Sequence, residues 1–548
     1  MDESIKNEIR ALVKGEVFDD PETLKKYSTD ASLFQVWPRL VIWPKDKEDI
    51  KRLVKFVAEN KKENPKLSIT VRAAGSCMSG GSLNESIILD VSKYFNKFEV
   101  NAEKQEAIVE PGVFYRDFEV ETLKHDLILP CYTASKNLCA LGGMIGNNAA
   151  GEKTLRYGKM ENFVEELSVT LRDGEEYTFK PLSRVELLRK SHEHTVEGEV
   201  YERMARLIEK NREEVIAAKP RVSKNSAGYY LWNVERSGMF DLVKLLVGSQ
   251  GTLGIITAAK IRLVPVEPVS RLLVVFMPSI EKLGEVVNKI MPSAPESIES
   301  YDDSTLKLAL RYLPEMISLM KANFLKLLWS FLPEAKMVLT GGMPKLVLLV
   351  EFAGTSGEVL DQKVAKLKKE IEETYKFKTR ATKKKSEEEK YWTIRRESFN
   401  LLRKHIRGRR TAPFVDDVCV EPQTLPKFLP RLRKILDEAK LTYTIAGHAG
   451  NGNFHVIPLM DMKDKHSRAI IPILSEKVYS LVKEFGGTIT AEHNDGIVRT
   501  PYLNKMYSPE IIELFKQTKE IFDPENIFNP GKKVGGTVEY MVGHLAKD

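Results

Sequence analysis

The chain has 548 residues, 42% of them hydrophobic and 29% charged, and its 84 Lys+Arg against 77 Asp+Glu give a formal charge of +7. That length excludes a single core and points to three or four units of ordinary size or two large domains, while so mild a basic excess suits anionic substrates without signalling nucleic acid. The four cysteines, Cys77, Cys131, Cys139 and Cys419, form no C-x-x-C pair, which argues against structural zinc, an iron–sulfur cluster or a disulfide framework and fits a reducing compartment.

The N-terminal MDESIKNEIRALVKG is charged and lacks an apolar signal core, and no run of 18 uncharged apolar residues follows, so neither a secretion signal nor a spanning helix is expected and the location read is cytoplasmic. Residues 36–60 read as a short strand, a proline and an amphipathic helix with Ile50, Leu53, Val54 and Val57 on one face. LSITVRA and SIILDVS are strands around a glycine-rich turn, and AIVEPGVFYRDFEVETLKHDLILP repeats the strand, turn, helix theme. ELSVTLRDGEEYTF predicts a hairpin, because Asp173-Gly174 supplies the positive φ angles of a tight turn.

From about residue 268 the texture changes. Strands RLLVVFM and KLVLLVEF flank a helical stretch at 303–335, and EEEKYWTIRRESFNLLRKH reads as a long charged helix before the strand VDDVCVEP. A helix near 466–485 precedes AEHNDGIVRTPYL, and the tail is one amphipathic helix stopped by Pro524.

Three glycine-rich loops adjoin short strands: RAAGSCMSGGSLNES at 72–86, LGGMIGNNAAGEKTLRYG at 141–158 and GSQGTLGII at 248–256. Backbone amides in such turns can nest a phosphate. The second nearly spells a nucleotide P-loop, but Glu152 stands where the lysine must follow glycine directly, and the third is not a Rossmann turn. Together they suggest one extended ligand with several phosphates, a dinucleotide in an unusual fold. Further on, GHAGNGNFH at 447–455 sets His448 and His455 on a stretch too rich in glycine for a helix, so both imidazoles are read as aimed at one point.

In chain order, RAAGSCMSGG with ILDVS, VEPG, LGGMIGNNAAG with YG, and GSQGTLGIIT resemble the flavin-binding half of the vanillyl-alcohol oxidase type of FAD enzymes. GHAGNGNFH, AEHNDG and DPENIFNPGK are similar to the FAD-linked D-2-hydroxyacid dehydrogenases, the group of the glycolate oxidase D-subunit, D-lactate dehydrogenase and D-2-hydroxyglutarate dehydrogenase. The resemblance covers about residues 20 to 533. It implies an α+β chain: a vanillyl-alcohol oxidase/PCMH-type FAD-binding domain of two subdomains at 1–267, an α+β substrate or cap domain with an antiparallel sheet at 268–505, and a C-terminal helix and tail at 506–548 returning to the FAD domain.

The same resemblance implies the site. Ala73, Ala74, Gly75, Ser76, Cys77, Ser79 and Gly80 match the loop carrying the FAD pyrophosphate. Pro130, Thr133, Gly142, Gly143, Gly146, Asn147, Asn148 and Gly151 match the segments lining the isoalloxazine and ribityl chain, and Gly251, Gly254 and Ile255 the adenine side. No histidine stands in the first loop and Cys77 reads as a packing residue, so the FAD is expected to be noncovalent. His448, His455 and Glu492 match the ligands of a divalent metal, zinc or manganese, and His493 matches the base that takes the substrate hydroxyl proton. Arg395, with Arg396 as the adjacent alternative, matches the arginine that clamps the substrate carboxylate, a helical surface salt bridge being the other reading of each. Val415 and Ile457 stand where relatives often have lysine and asparagine, which leaves the distal substrate group open, and Arg499 reads either as a second anion contact or as a structural ion pair.

The implied reaction is oxidation of a small anionic 2-hydroxy acid, of lactate, glycolate or 2-hydroxyglutarate type, with hydride passing to the flavin. The acceptor that reoxidises the flavin lies on another molecule, an iron–sulfur subunit, an electron-transfer flavoprotein or a quinone. The stretch 306–332, apolar on one face with Lys307, Arg311, Lys321 and Lys326 among its polar positions, fits an interfacial helix on the inner face of a membrane and equally a buried cap helix. A nucleic-acid module built on KFKTRATKKK and RKHIRGRR is disfavoured, since aromatic residues do not interleave with the basic ones. Other flavin chemistry on the same fold, such as ether-lipid synthesis or aromatic-alcohol oxidation, has no need of a metal triad.

Overall fold

The computed structural model describes residues 1–312, 342–382, 384, 387–396 and 408–547. In the first half, the helix Lys47–Asn60 starts at the Asp46 cap and buries Ile50, Leu53, Val54 and Val57, the face its periodicity predicts. It covers a four-stranded sheet in which Leu40–Trp43 and Ile69–Arg72 both run parallel to Ile87–Asp90. A five-stranded antiparallel sheet follows, in the order Phe98–Asn101, Glu106–Val109, Ile255–Arg262, Val164–Thr170, Glu176–Phe179. Its last pair is the expected hairpin, with Gly174 at φ +78.

The second half is built on an eight-stranded antiparallel sheet. Its long central strands are Val269–Met277, Leu346–Gly354 and Ser297–Asp302, followed by the hairpin Thr442–His448 and Asn453–Met460. The predicted strand VDDVCVEP shrinks to Val418–Cys419. Asp417 takes φ +67, which breaks an extended run. Of the helical stretch expected at 303–335, Asp303–Arg311 is described as helix and residues 313–335 lie outside the described residues, as do 397–407 of the charged helix. Among the described residues no helix is long and apolar enough to cross a membrane.

The tail helix Pro509–Phe522 is capped by Ser508 and ends at Asp523, before Pro524. Its continuation docks on the first sheet. The Ile69 amide donates to the Ile527 carbonyl and the Asn529 amide to the Ile69 carbonyl, each at 2.8 Å. Asn529 Nδ2 also donates to the carbonyls of Gly81 (2.9 Å) and Gln250 (2.7 Å), so one buried amide ties the tail to two glycine loops.

Candidate functional site

The three glycine loops meet. Gln250 donates its backbone amide to the Gly146 carbonyl at 2.9 Å. Its side-chain Nε2 donates to Asn147 Oδ1 at 3.1 Å and Ser79 Oγ at 3.4 Å. Within the helix Leu141–Asn147, a Cβ on Gly142 would strike Pro111 at 2.5 Å, so that position is closed by packing. On Gly143 a Cβ would meet nothing within 4 Å, and on Gly146 nothing nearer than 3.9 Å. Those two glycines therefore border open space, beside Asn148 in the left-handed conformation that ends the helix. Gly75, Gly80 and Gly251 have positive φ, the backbone freedom a phosphate-cradling turn uses. Ala73, Ala74, Ser76, Cys77 and Thr133 are half-buried, and Pro130 is buried. Gly151 packs on the Tyr132 carbonyl and Gly254 on Val169, while the Ile255 side chain is in the hydrophobic core with Ile527 and Phe528, leaving only its backbone for a ligand.

The histidine stretch is the turn of a β-hairpin. His448 ends one strand, Ala449–Gly452 make the turn, and His455 sits three residues into the next strand. Gly452, at φ +69, lies so close to Val420 that a Cβ would sit 1.8 Å from its carbonyl oxygen. The two rings are 5.3 Å apart by centroid, and His493 stacks on His455 at 5.1 Å. Glu492 completes the group. Its Oε1 lies 3.3 Å from His448 Nε2, 3.2 Å from His455 Nε2 and 3.8 Å from His493 Nε2. The sequence-predicted set thus converges on one carboxylate oxygen.

Four further groups surround it that sequence reasoning did not assign. Lys224, fully buried, holds Glu492 Oε2 at 3.0 Å. Glu299 accepts from His448 Nδ1 at 2.6 Å. Asp416 lies 3.1 Å from His455 Nδ1 and 2.9 Å from His493 Nδ1. Asp417 Oδ2 accepts from the backbone amides of Ala491, Glu492 and His493 (2.9, 2.9 and 2.7 Å) and from the Thr490 hydroxyl. Ligand atoms of Asp417, His455, Glu492 and His493 lie within 4.8 Å of one another. With one Asp417 oxygen holding four donors and the other taking Asn453 Nδ2 at 3.1 Å, however, Asp417 is a scaffold for the loop rather than a free donor atom.

Carboxylates exceed cations here. Burial works against a charged Glu492, but Lys224 and His448 outweigh it and hold the carboxyl well below its usual range. Burial likewise opposes a charged His455, yet Asp416 and Glu492 push it up to about 10, and His493 is raised against burial by Asp417 and Asp416. An enclosure that draws protons onto imidazoles is one that favours a bound cation. The Nε2 atoms of His448 and His455 with a carboxylate oxygen of Glu492 are a donor set that suits zinc or manganese and leaves His493 Nε2 beside it.

The adjacent arginines part company. Arg396 pairs through two nitrogens with Glu152, which also accepts from the Tyr132 hydroxyl at 2.8 Å. Arg395 points to the imidazole group, with Nη2 3.2 Å from Glu299 Oε2, and its buried Nε has no partner among the described residues. Arg499, fully buried, donates to the carbonyls of Asn494 (3.1 Å) and Asp416 (2.8 Å), a structural clamp on both segments.

The glycine loops and the imidazole group are stitched together by residues 494–497. Asn494 Nδ2 donates to the Gly248 carbonyl at 2.9 Å, the Gly496 amide to Gln250 Oε1 at 2.8 Å, and the Ile497 amide to the Ser79 carbonyl at 2.8 Å. Asn494 Nδ2 also donates to the Asn147 carbonyl at 3.3 Å, so all three glycine loops are fixed beside Glu492 and His493.

Comparison with known proteins bears on the two halves of the chain. A family model described as FAD binding domain matches residues 38–180, and one described as FAD linked oxidases, C-terminal domain, matches residues 266–533. The chain is 29% identical over 527 residues to the D-2-hydroxyglutarate dehydrogenase of Pseudomonas putida, covering 95% of this chain but only half the length of that relative. To the D-lactate dehydrogenase of Archaeoglobus fulgidus it is 27% identical over 501 residues, covering 90% of this chain and 91% of that one. In fold it matches p-cresol methylhydroxylase with substrate bound, with a TM-score of 0.66 at 16% identity over 98% of this chain and 97% of that one. The α+β, PCMH-type architecture is therefore the one the glycine loops imply. In that order, the chain therefore matches an FAD binding domain followed by the C-terminal domain of FAD linked oxidases.

Proposed function

We propose that this protein oxidises a D-2-hydroxy acid, of lactate, glycolate or 2-hydroxyglutarate type, to the 2-oxo acid. The observation that carries the reading is the convergence of His448, His455 and His493 Nε2 on Glu492 Oε1, beside a loop hydrogen-bonded to all three glycine loops. Noncovalent FAD would lie along Ala73–Gly80, the helix Leu141–Asn147 with Asn148 and Gly151, and the turn Gly251–Ile255. His448, His455 and Glu492 would hold the divalent cation. Bound there, FAD supplies the hydride acceptor and zinc or manganese supplies Lewis acidity toward a hydroxyl oxygen.

The chain's own residues do the rest. His493 Nε2 takes the hydroxyl proton, with Asp416 behind its Nδ1. Arg395 clamps the substrate carboxylate, supported by its unpartnered buried Nε, whereas Arg396 is already engaged by Glu152. Electrons leave to a separate acceptor, an iron–sulfur subunit, an electron-transfer flavoprotein or a quinone.

Anaerobic mixing of the yellow, metal-replete protein with D-lactate, glycolate and D-2-hydroxyglutarate tests this. At least one acid should bleach the flavin, and His448→Ala or Glu492→Ala should keep the colour and lose the bleaching. A flavin that stays oxidised with a broad panel of 2-hydroxy acids refutes the reading. Unchanged rates in both variants remove the cation from it and favour metal-free flavin chemistry.

A further inference from the structure

Each imidazole that faces Glu492 has a carboxylate behind it, and among the described residues two such carboxylates serve the three rings. Glu299 touches His448 Nδ1 at 2.6 Å and Arg395 Nη2 at 3.2 Å. Asp416 touches His455 Nδ1 through Oδ1 at 3.1 Å and His493 Nδ1 through Oδ2 at 2.9 Å. Both carboxylates are buried, at 2% and 0% side-chain exposure, so neither is satisfied by solvent. Asp416 Oδ2 and His493 Nδ1 are both buried and make no aligned hydrogen bond among the described residues, so the polar contact each makes there is their 2.9 Å approach to one another. Each carboxylate therefore serves one ring of the cation set and one group assigned to the substrate.

We infer that Glu299 and Asp416 are paired positioning residues, each fixing one cation-facing imidazole together with one substrate-handling group, Glu299 joining His448 to Arg395 and Asp416 joining His455 to His493. The inference rests on the proposed reading of the site for the roles of Arg395 and His493. The physical consequence is tautomeric. A carboxylate accepts only, so it demands N–H at Nδ1 and leaves the Nε2 lone pair facing Glu492, where a cation needs it on His455 and a proton acceptor needs it on His493. Sharing adds a second consequence. A change at one carboxylate reaches both of its clients, so cation affinity and substrate handling fall together although neither carboxylate touches cation or substrate.

Glu299→Gln and Asp416→Asn keep the shape and put a donor where an acceptor is required. Titration of the flavin-loaded protein with Zn(II) alone should show affinity weakened about 10–100-fold in each variant, with the unfolding temperature of the metal-free protein checked in parallel. In zinc-saturated protein, with whichever 2-hydroxy acid reduces the wild type fastest, Asp416→Asn should slow flavin reduction and add nothing further to His493→Ala. Glu299→Gln should raise KM and add nothing further to Arg395→Ala, the non-additivity expected of groups acting as one unit. Zinc affinities within about twofold of wild type in both variants, or losses that add in either double variant, overturn the proposal. The zinc arm needs no substrate, so a protein that binds zinc as described but is reduced by no 2-hydroxy acid sinks the dehydrogenase reading and leaves Glu299 and Asp416 to be judged by affinity alone.

Discussion

Lys224→Met tests the proposed cation site with and without added metal. The ammonium is fully buried, 3.0 Å from Glu492 Oε2, with the Gly151 carbonyl and Asn453 Oδ1 each at 3.4 Å. Removing one partner of a buried ion pair typically costs about 3–5 kcal/mol, because the other charge is left uncompensated. Here three imidazoles also face Glu492, so the lower end, about 3 kcal/mol, is the expected loss in EDTA. A dication at Glu492 replaces the missing charge, so the gap between variant and wild type should largely close in zinc. By linkage, the recovered free energy appears as tighter zinc binding, up to about 100-fold for about 3 kcal/mol. Thermal unfolding in EDTA and in zinc, with a zinc titration of both proteins, measures each quantity. A variant as far below wild type in zinc as in EDTA, or one that binds zinc more weakly, refutes the idea that Lys224 stands in for part of the cation's charge.

Glu351 gives a pH prediction. Burial raises its carboxyl from 4.5 to about 7 against the attraction of Lys153, with Glu296 and Glu152 adding repulsion. Since the folded value lies above the unfolded one, its contribution is lost as pH rises from 4.5 to 7. Glu351→Gln should therefore match wild type near pH 4.5 and be more stable above pH 7, by about 1–2 kcal/mol once its partial exposure is allowed for, as denaturant melts at the two pH values will show. Gly151→Ala would set a Cβ 1.9 Å from the Tyr132 carbonyl oxygen. The forced backbone shift should cost about 1–3 kcal/mol and strip most of the flavin from purified protein, read from the absorbance of bound flavin.

What was legible in the sequence was local. The helix Lys47–Asn60 shows its buried face by period, and the hairpin after Thr170 by Asp173-Gly174. The histidine turn shows itself because glycine is needed where Gly452 passes under Val420, a steric demand that leaves a compositional mark. Lys224, Glu299 and Asp416 left none. Lys224 is 268 positions from Glu492 and Glu299 is 149 from His448, so their meaning lies in the pairing of distant segments. Asp416-Asp417 stood in view as part of a presumed strand, but an aspartate at positive φ with four donors on one oxygen is a tertiary arrangement no pattern announces. The choice between Arg395 and Arg396 was open for the same reason, since Glu152, which occupies Arg396, comes from the second glycine loop.

The proposed ligand set is divided between two parts of the molecule. Glu492 and His493 lie just before residues that hydrogen-bond to the flavin loops, and Gly496 at φ +52 approaches Ser79 so closely that a Cβ would sit 2.2 Å from its carbonyl oxygen. His448, His455 and Glu299 belong instead to neighbouring strands of the large antiparallel sheet. A displacement of that sheet relative to the flavin loops changes the distance from the imidazoles to Glu492 but not from Glu492 to the flavin loops. A cation held by both sets, as proposed, would tie sheet to loops with a strength that depends on their approach. The backbone of Glu492 and His493 is thus held beside the glycine loops by hydrogen bonds of its own, whereas the placement of His448 and His455 and, through Glu299, of Arg395 would be coupled to the proposed cation.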